Sequence, residues 1–121
     1  PASGVLLGLE SGRVKALEIK APAQAASLLA ELLELYWLGL SQPLRFFPKA
    51  SEAYAAAWLK DAGKALAAAR KQFEDEHSGP AEADDFAVER CFAGREPLDD
   101  EFAALALKVW QPLFGQEVKL A

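Results

Sequence analysis

A chain of 121 residues, 52% of them hydrophobic, is long enough for one compact domain and too short for two. This share of hydrophobic residues can supply a core and excludes general disorder. The net charge of −5 excludes strong binding of nucleic acid by these residues alone, because phosphate contacts require a basic patch.

Scarce residue types exclude further classes of site. The single cysteine, Cys91, cannot form an intrachain disulfide, which favours a cytoplasmic location; in its apolar-rich stretch it is predicted to be a small buried side chain. Cys91 and the single histidine, His77, cannot supply the four ligands of a typical structural zinc site. Glu31 and Glu34 interrupt the longest apolar run, so no membrane span is predicted. The sequence contains no methionine, so we expect a fragment of a longer chain or a processed product.

The first forty residues predict two short strands and a helix. Strands at 5–8 and 13–19 flank a turn at 10–12, and the second strand alternates in polarity. A helix follows over 25–40, with Pro22 suited to its first turn. This helix is apolar around most of its circumference, so we expect it to be buried under a sheet or against a neighbouring protein.

The middle of the chain predicts a strand and a long helix. Gly39 and Pro43 end the preceding helix, and residues 44–47 predict a third short strand that Pro48 closes. Ser51 is predicted to cap a helix that runs to about Glu76.

Acidic residues mark the starts of two further helices. Asp84 and Asp85 follow an exposed loop and precede a short helix through Phe92. Acids at 99–101 begin the last helix, which Pro112 is predicted to end or kink near Gln111. Helix-start chemistry explains both acidic groups, so we do not predict a metal site at either. Four helices and about three strands make an α+β, or mixed α/β, domain.

Several short motifs follow one another in a characteristic order along the chain. A predicted helix ending in Tyr-x-x-Gly-Leu leads through x-x-Pro-Leu to an apolar segment ending in proline, and an acidic pair follows later. In this order the chain resembles the C-terminal domain of RecC, the gamma subunit of exodeoxyribonuclease V, over about residues 22–114. One departure is that Ala81 and Ala83 stand where the resemblance implies glycines. The residues that carry the resemblance are Tyr36, Gly39, Leu40, Pro43, Leu44, Phe46, Phe47, Pro48, Asp84 and Asp85.

The resemblance implies a fold and a function. Residues 1–121 are expected to form a degenerate PD-(D/E)xK, or restriction-endonuclease-like, domain. Its implied role is a non-catalytic scaffold in a RecBCD-type ATP-dependent helicase–nuclease that acts in double-strand break repair and homologous recombination. The implied partners are RecB-like and RecD-like helicase subunits, which use ATP and Mg²⁺, whereas this domain itself needs no cofactor. DNA is then contacted through the assembled complex, and no membrane is involved.

An active nuclease of the same fold is the alternative, as is a stand-alone DNA-binding module. Glu18-Ile19-Lys20 matches (D/E)xK at the end of a predicted strand, where the acid of an active enzyme holds a metal and the lysine orients water. Mg²⁺ requires several oxygen ligands, yet the upstream segment offers only Glu10, in the turn. The resemblance also implies that active relatives carry glutamine four residues before the tyrosine, where this chain has Leu32. We therefore interpret Glu18 and Lys20 as a remnant without catalytic function.

Overall fold

The computed structural model describes residues 3–77, 79–115 and 117–120, which form a mixed α+β fold. Five α-helices and three strands are present in this described part of the chain. In chain order the elements are β1 (Ser3–Glu10), β2 (Arg13–Lys20), α1 (Ala25–Ser41), α2 (Pro48–Trp58), a 3₁₀ turn (Ala62–Lys64), α3 (Ala65–Phe73), a second 3₁₀ turn (Glu82–Asp84), α4 (Phe86–Phe92), α5 (Asp100–Phe114) and β3 (Glu117–Leu120).

The three strands form an antiparallel sheet in the order β1-β2-β3. Ser11 and Gly12 join the first two strands with φ angles of 53° and 76°, the left-handed pair that a tight two-residue hairpin requires. Both predicted strands of this hairpin are confirmed, and each is longer than expected. The third strand is β3, at the other end of the chain.

The prediction of a strand at 44–47 is wrong. Residues 44–47 form an extended link, which pairs with none of the strands in the described part of the chain. The side chains serve as anchors instead, since Phe47 is buried in the core and Leu44 lies against Gly39. Pro48 is the first residue of α2, a position that needs no backbone N–H, so it begins a helix and does not close a strand.

The predicted long helix from Ser51 to Glu76 is also wrong, because the chain divides it into α2 and α3. Asp61 lies at the break, where its side chain accepts a hydrogen bond from the Gly63 backbone N–H at 3.0 Å. Ser51 lies inside α2 and is fully buried, and its Oγ accepts a bond from the Phe47 N–H at 3.2 Å. The chain reverses so that both helices contribute residues to one core.

The core is a cluster of aromatic rings among alanines. The ring centroid of Phe47 lies 5.0 Å from that of Phe73 and 6.0 Å from that of Phe102, and Tyr54 lies 5.6 Å from Phe102 in an edge-to-face arrangement. Such pairs add to the stabilisation that burial alone provides. Buried alanines, with almost no side-chain volume, let the helix backbones approach these rings; they are Ala50, Ala65, Ala69 and Ala106.

Both predicted acidic helix starts are confirmed. The Asp85 carboxylate accepts bonds from the Ala87 and Val88 backbone N–H groups, and Asp99 accepts one from the Phe102 N–H at 3.0 Å. Helix α5 passes through Pro112 and ends at Phe114, so the predicted end near Gln111 is wrong. A proline in the last turn removes a single backbone hydrogen bond, which the helix tolerates there.

Candidate interaction surface

The hairpin presents apolar residues to solvent along most of its length. Every residue from 4 to 15 is exposed, including Leu9, whose side chain is 77% exposed. Leucine and valine occur on both faces of β1, because consecutive side chains of a strand point to opposite faces. The hairpin therefore exposes apolar side chains on both faces of β1, whereas residues 16–19 of β2 are half-buried.

Helix α1 is exposed to an unusual degree for so apolar a helix. All residues of α1 are described by the structure, and none of them is buried. Burial of this helix under a sheet of the same chain, one of the two expected arrangements, is therefore wrong. The residues spaced three or four apart on one side, which lie together on the helix, form the α1 surface: Leu29, Leu33, Trp37 and Leu40.

A groove runs between α1 and α5. It consists of two cavities of about 180 and 390 Å³, which share the side chains of Leu32 and Val109. Two charged residues, Glu31 from α1 and Lys108 from α5, lie at the end of the groove nearest Pro22. The remaining walls are almost entirely apolar. We call this cavity pair the α1–α5 groove.

The structure brings half of the motif residues together. Tyr36, Gly39, Leu40, Leu44 and Phe46 line the larger cavity of the groove. The other five lie elsewhere: Phe47 in the core, Pro48 at the start of α2, Pro43 exposed in the link, Asp84 exposed in a 3₁₀ turn and Asp85 at the cap of α4.

Arg45 fixes the link that forms the floor of the groove, and sequence reasoning did not identify it. Its Nε lies 3.2 Å from Asp99 Oδ2 and 3.3 Å from Glu101 Oε2, while its Nη1 donates to the Glu96 carbonyl at 2.7 Å. The guanidinium also lies 5.0 Å from the ring centroid of Phe92. Arg45 thus ties the link to the beginning of α5. A lone arginine within an apolar run was the available indication.

Glu82 fixes the other end of the link. Its two carboxylate oxygens accept bonds from the backbone N–H groups of Lys49 at 2.7 Å and Ala50 at 2.9 Å. These donors are free at a helix start, where a negative charge is also favoured. Because Glu82 lies 32 residues beyond Ala50 in the chain, no local pattern predicts this contact.

Two ionisable groups near the core have shifted pKa values. A hydrogen bond from Arg70 is the main cause that lowers the pKa of Glu96, with a second bond from the Leu98 N–H. Burial raises the pKa of Tyr54, and the nearby charge of Asp100 adds to the effect. Neither group lines the α1–α5 groove. Cys91 is exposed, so its predicted burial is wrong.

The carboxylates considered for a nuclease site are far apart. Glu18 lies opposite Val5, five residues along β1 from Glu10, which corresponds to about 17 Å of strand. Glu10 instead pairs with Lys15 near the turn. Lys20 lies opposite Ser3 at the far end of the hairpin. Among the described residues there is no group of three potential metal-binding side chains, and Glu10 and Glu18 cannot share one ion.

Comparison with known families finds a similarity that includes this surface. Residues 5–59 match the family model of the RecC C-terminal domain. These residues, a little under half of the chain, are similar to the RecC C-terminal domain. The match includes the hairpin, α1, the link and α2, whereas Asp84, Asp85 and α5 lie beyond it. No curated protein matches the chain.

The match suggests a biological setting for these residues. RecC is a component of exodeoxyribonuclease V, a RecBCD complex that acts in DNA repair and whose other subunits are RecB and RecD. The whole of the α1 surface lies within the matched residues. None of the helices in the described part of the chain has the length and apolar character that crossing a bilayer requires.

Proposed function

We propose that this chain is a non-catalytic scaffold that binds partner subunits of a RecBCD-type helicase–nuclease in the cytoplasm, in double-strand break repair and homologous recombination. The observation that carries the proposal is the exposure of α1. Trp37 is 69% exposed and Leu33 is 51% exposed, on a helix with no charged residue on that side. Contiguous apolar patches of this kind mark protein interaction sites.

Burial of the α1 surface by a partner would contribute a substantial part of the free energy of binding. Full burial of one such side chain contributes about 1.5–3 kcal/mol, and roughly 60% of that remains to be gained here, or about 4–7 kcal/mol for all four. A micromolar complex requires about 8 kcal/mol after the cost of association. The α1 surface therefore needs a further contact with the partner. We propose that the exposed hairpin, which lies within the same matched residues, provides it.

The net charge of the chain supports a role without direct DNA contact. A net charge of −5 does not attract phosphates, so the proposal leaves DNA contact to the assembled complex and the use of ATP and Mg²⁺ to the RecB-like and RecD-like subunits. The separation of Glu10 from Glu18 supports the non-catalytic part of the proposal.

Hydrogen–deuterium exchange tests the proposal. The chain is compared with and without the RecB and RecD subunits, and we expect slower exchange over residues 25–48 in the complex. Trp37→Ser should weaken assembly about tenfold or more, since aromatic residues dominate interface energies. Phe86→Ser is the matched control, because Phe86 is 72% exposed on α4 and outside the α1 surface.

Two results would contradict the proposal. One is unchanged exchange across residues 25–48 in a complex that has formed. The other is equal loss of assembly in Trp37→Ser and Phe86→Ser. Urea unfolding of the free variants separates a binding defect from a folding defect, and both should unfold close to the parent chain because both positions are exposed.

A further inference from the structure

We propose that the α1–α5 groove binds one amphipathic helix of a partner protein, with an apolar stripe that has a basic edge and an acidic edge. The inference rests on the proposed function and specifies the chemistry of one partner segment. It concerns the groove side of α1, which shares Leu40 with the α1 surface, whereas Leu29, Leu33 and Trp37 line neither cavity.

The shape of the groove matches a helix of about three turns. Its α1 wall extends from Leu28 to Leu40, a rise of about 18 Å along the helix axis. The two cavities adjoin each other, since Leu32 and Val109 line both. Helices that bind grooves insert apolar residues spaced three or four apart, which is the spacing this length accommodates.

The charges on the two walls define the edges of the occupant. Glu31 on the α1 wall and Lys108 on the α5 wall lie at the same end, and no ion pair involves either of them among the described residues. An occupant with lysine or arginine towards α1 and aspartate or glutamate towards α5 would pair with both. Charges that flank an apolar stripe select partners in this way in paired helices.

The same charges disfavour a second copy of this chain as the occupant. Helix α1 contains no lysine or arginine, so an α1 from another copy has no cation for Glu31. Helix α5 is committed to its own core through Phe102 and Ala106, which are fully buried. A partner helix of mixed charge satisfies both walls.

Three designed peptides test the inference. Each has about 18 residues, enough for a helix to form on binding, and all share one leucine stripe. The stripe is flanked by lysine on one edge and glutamate on the other, by lysine on both, or by glutamate on both. Labelled peptides are titrated with the 121-residue chain at low ionic strength, and fluorescence anisotropy reports the Kd.

We expect the order of affinity to follow the wall charges. The parent chain should prefer the mixed peptide, Glu31→Lys the peptide with two glutamate edges, and Lys108→Glu the peptide with two lysine edges. Each exchange of attraction for repulsion should change the Kd about fivefold, as for exposed ion pairs, and high salt should reduce the preferences. Glu89→Lys, an equal change of charge at an exposed position on α4, should leave the order unchanged.

Other outcomes overturn the inference. Equal binding of all three peptides by every variant would show apolar adhesion alone, and absence of saturable binding would show that the groove takes no helix. A dimer of the parent chain in sedimentation, with peptides unable to displace the second copy, would assign the groove to self-association. If assembly depends on Trp37 but the three peptides bind with equal Kd values, this inference fails while the proposed function stands.

Discussion

The carboxylate of Glu82 should stabilise the fold far more than its position in a loop suggests. It accepts bonds at 2.7 and 2.9 Å from two N–H groups at the start of α2, and the second donor belongs to Ala50, which is fully buried. Glu82→Ala leaves both donors without this partner. A lost helix cap costs about 0.5–2 kcal/mol, and the lost interaction with the helix dipole about 0.3–1 kcal/mol. We therefore expect a total loss of about 2 kcal/mol.

Urea unfolding followed by circular dichroism measures this loss. With a slope of about 1–3 kcal/mol per molar for small proteins, the midpoint should fall by roughly 1–2 M. Glu82→Gln keeps one acceptor oxygen without the charge, so its loss should be about half as large. Glu89→Ala is the control, because Glu89 is exposed on α4. A midpoint for Glu82→Ala that coincides with the control would refute the reasoning.

Three further predictions concern the core, the response to pH and the nuclease motif. Phe102→Ala should cost about 3–5 kcal/mol in urea unfolding, because Phe102 is 0% exposed; a cost below that of Glu82→Ala would misplace the core. The lowered pKa of Glu96 means that its stabilising effect is present above the ordinary value of 4.5 and is lost as pH falls through the lower folded value. The urea midpoint should thus fall more on acidification in the parent chain than in Glu96→Gln, by a small amount since Glu96 is solvent-exposed; equal falls would contradict this. Glu18→Ala should leave any DNA cleavage seen with Mg²⁺ or Mn²⁺ unchanged, and a loss of cleavage would establish the nuclease alternative.

Features with a local cause were predictable from the sequence. The caps at Asp85 and Asp99 depend on N–H groups two or three residues away, so the residue type at a helix start was sufficient. The Ser11-Gly12 turn likewise follows from its neighbours. For the same reason the hairpin and α1 were placed correctly.

Features with a distant cause were not predictable. The run at 44–47 is apolar like a strand, but only the folded chain shows that Phe47 meets Phe73 and Phe102. The helical spacing from Tyr54 to Phe73 fits one long helix as well as two that fold back on each other. A reading based on the spacing of apolar residues cannot distinguish these cases.

The candidate surface was half predictable. The sequence identified α1 as too apolar to stand alone, and the motif residues led to one wall of the groove. The other wall comes from α5 through Leu105 and Val109, and nothing in the sequence places these residues beside α1. The position of Lys108 on the groove wall can be recognised only when the structure shows that α1 and α5 lie side by side.

The hairpin sets a condition on how the chain can be produced. Strand β1 is an edge of the sheet, and its residues 4–9 include no charge and no proline to discourage pairing with another strand. At high concentration we expect the β1 strands of different copies to pair with each other, as exposed apolar edge strands do. Synthesis in balance with the proposed partners would keep that edge covered, so stoichiometric expression would protect the chain from aggregation as well as supply the complex.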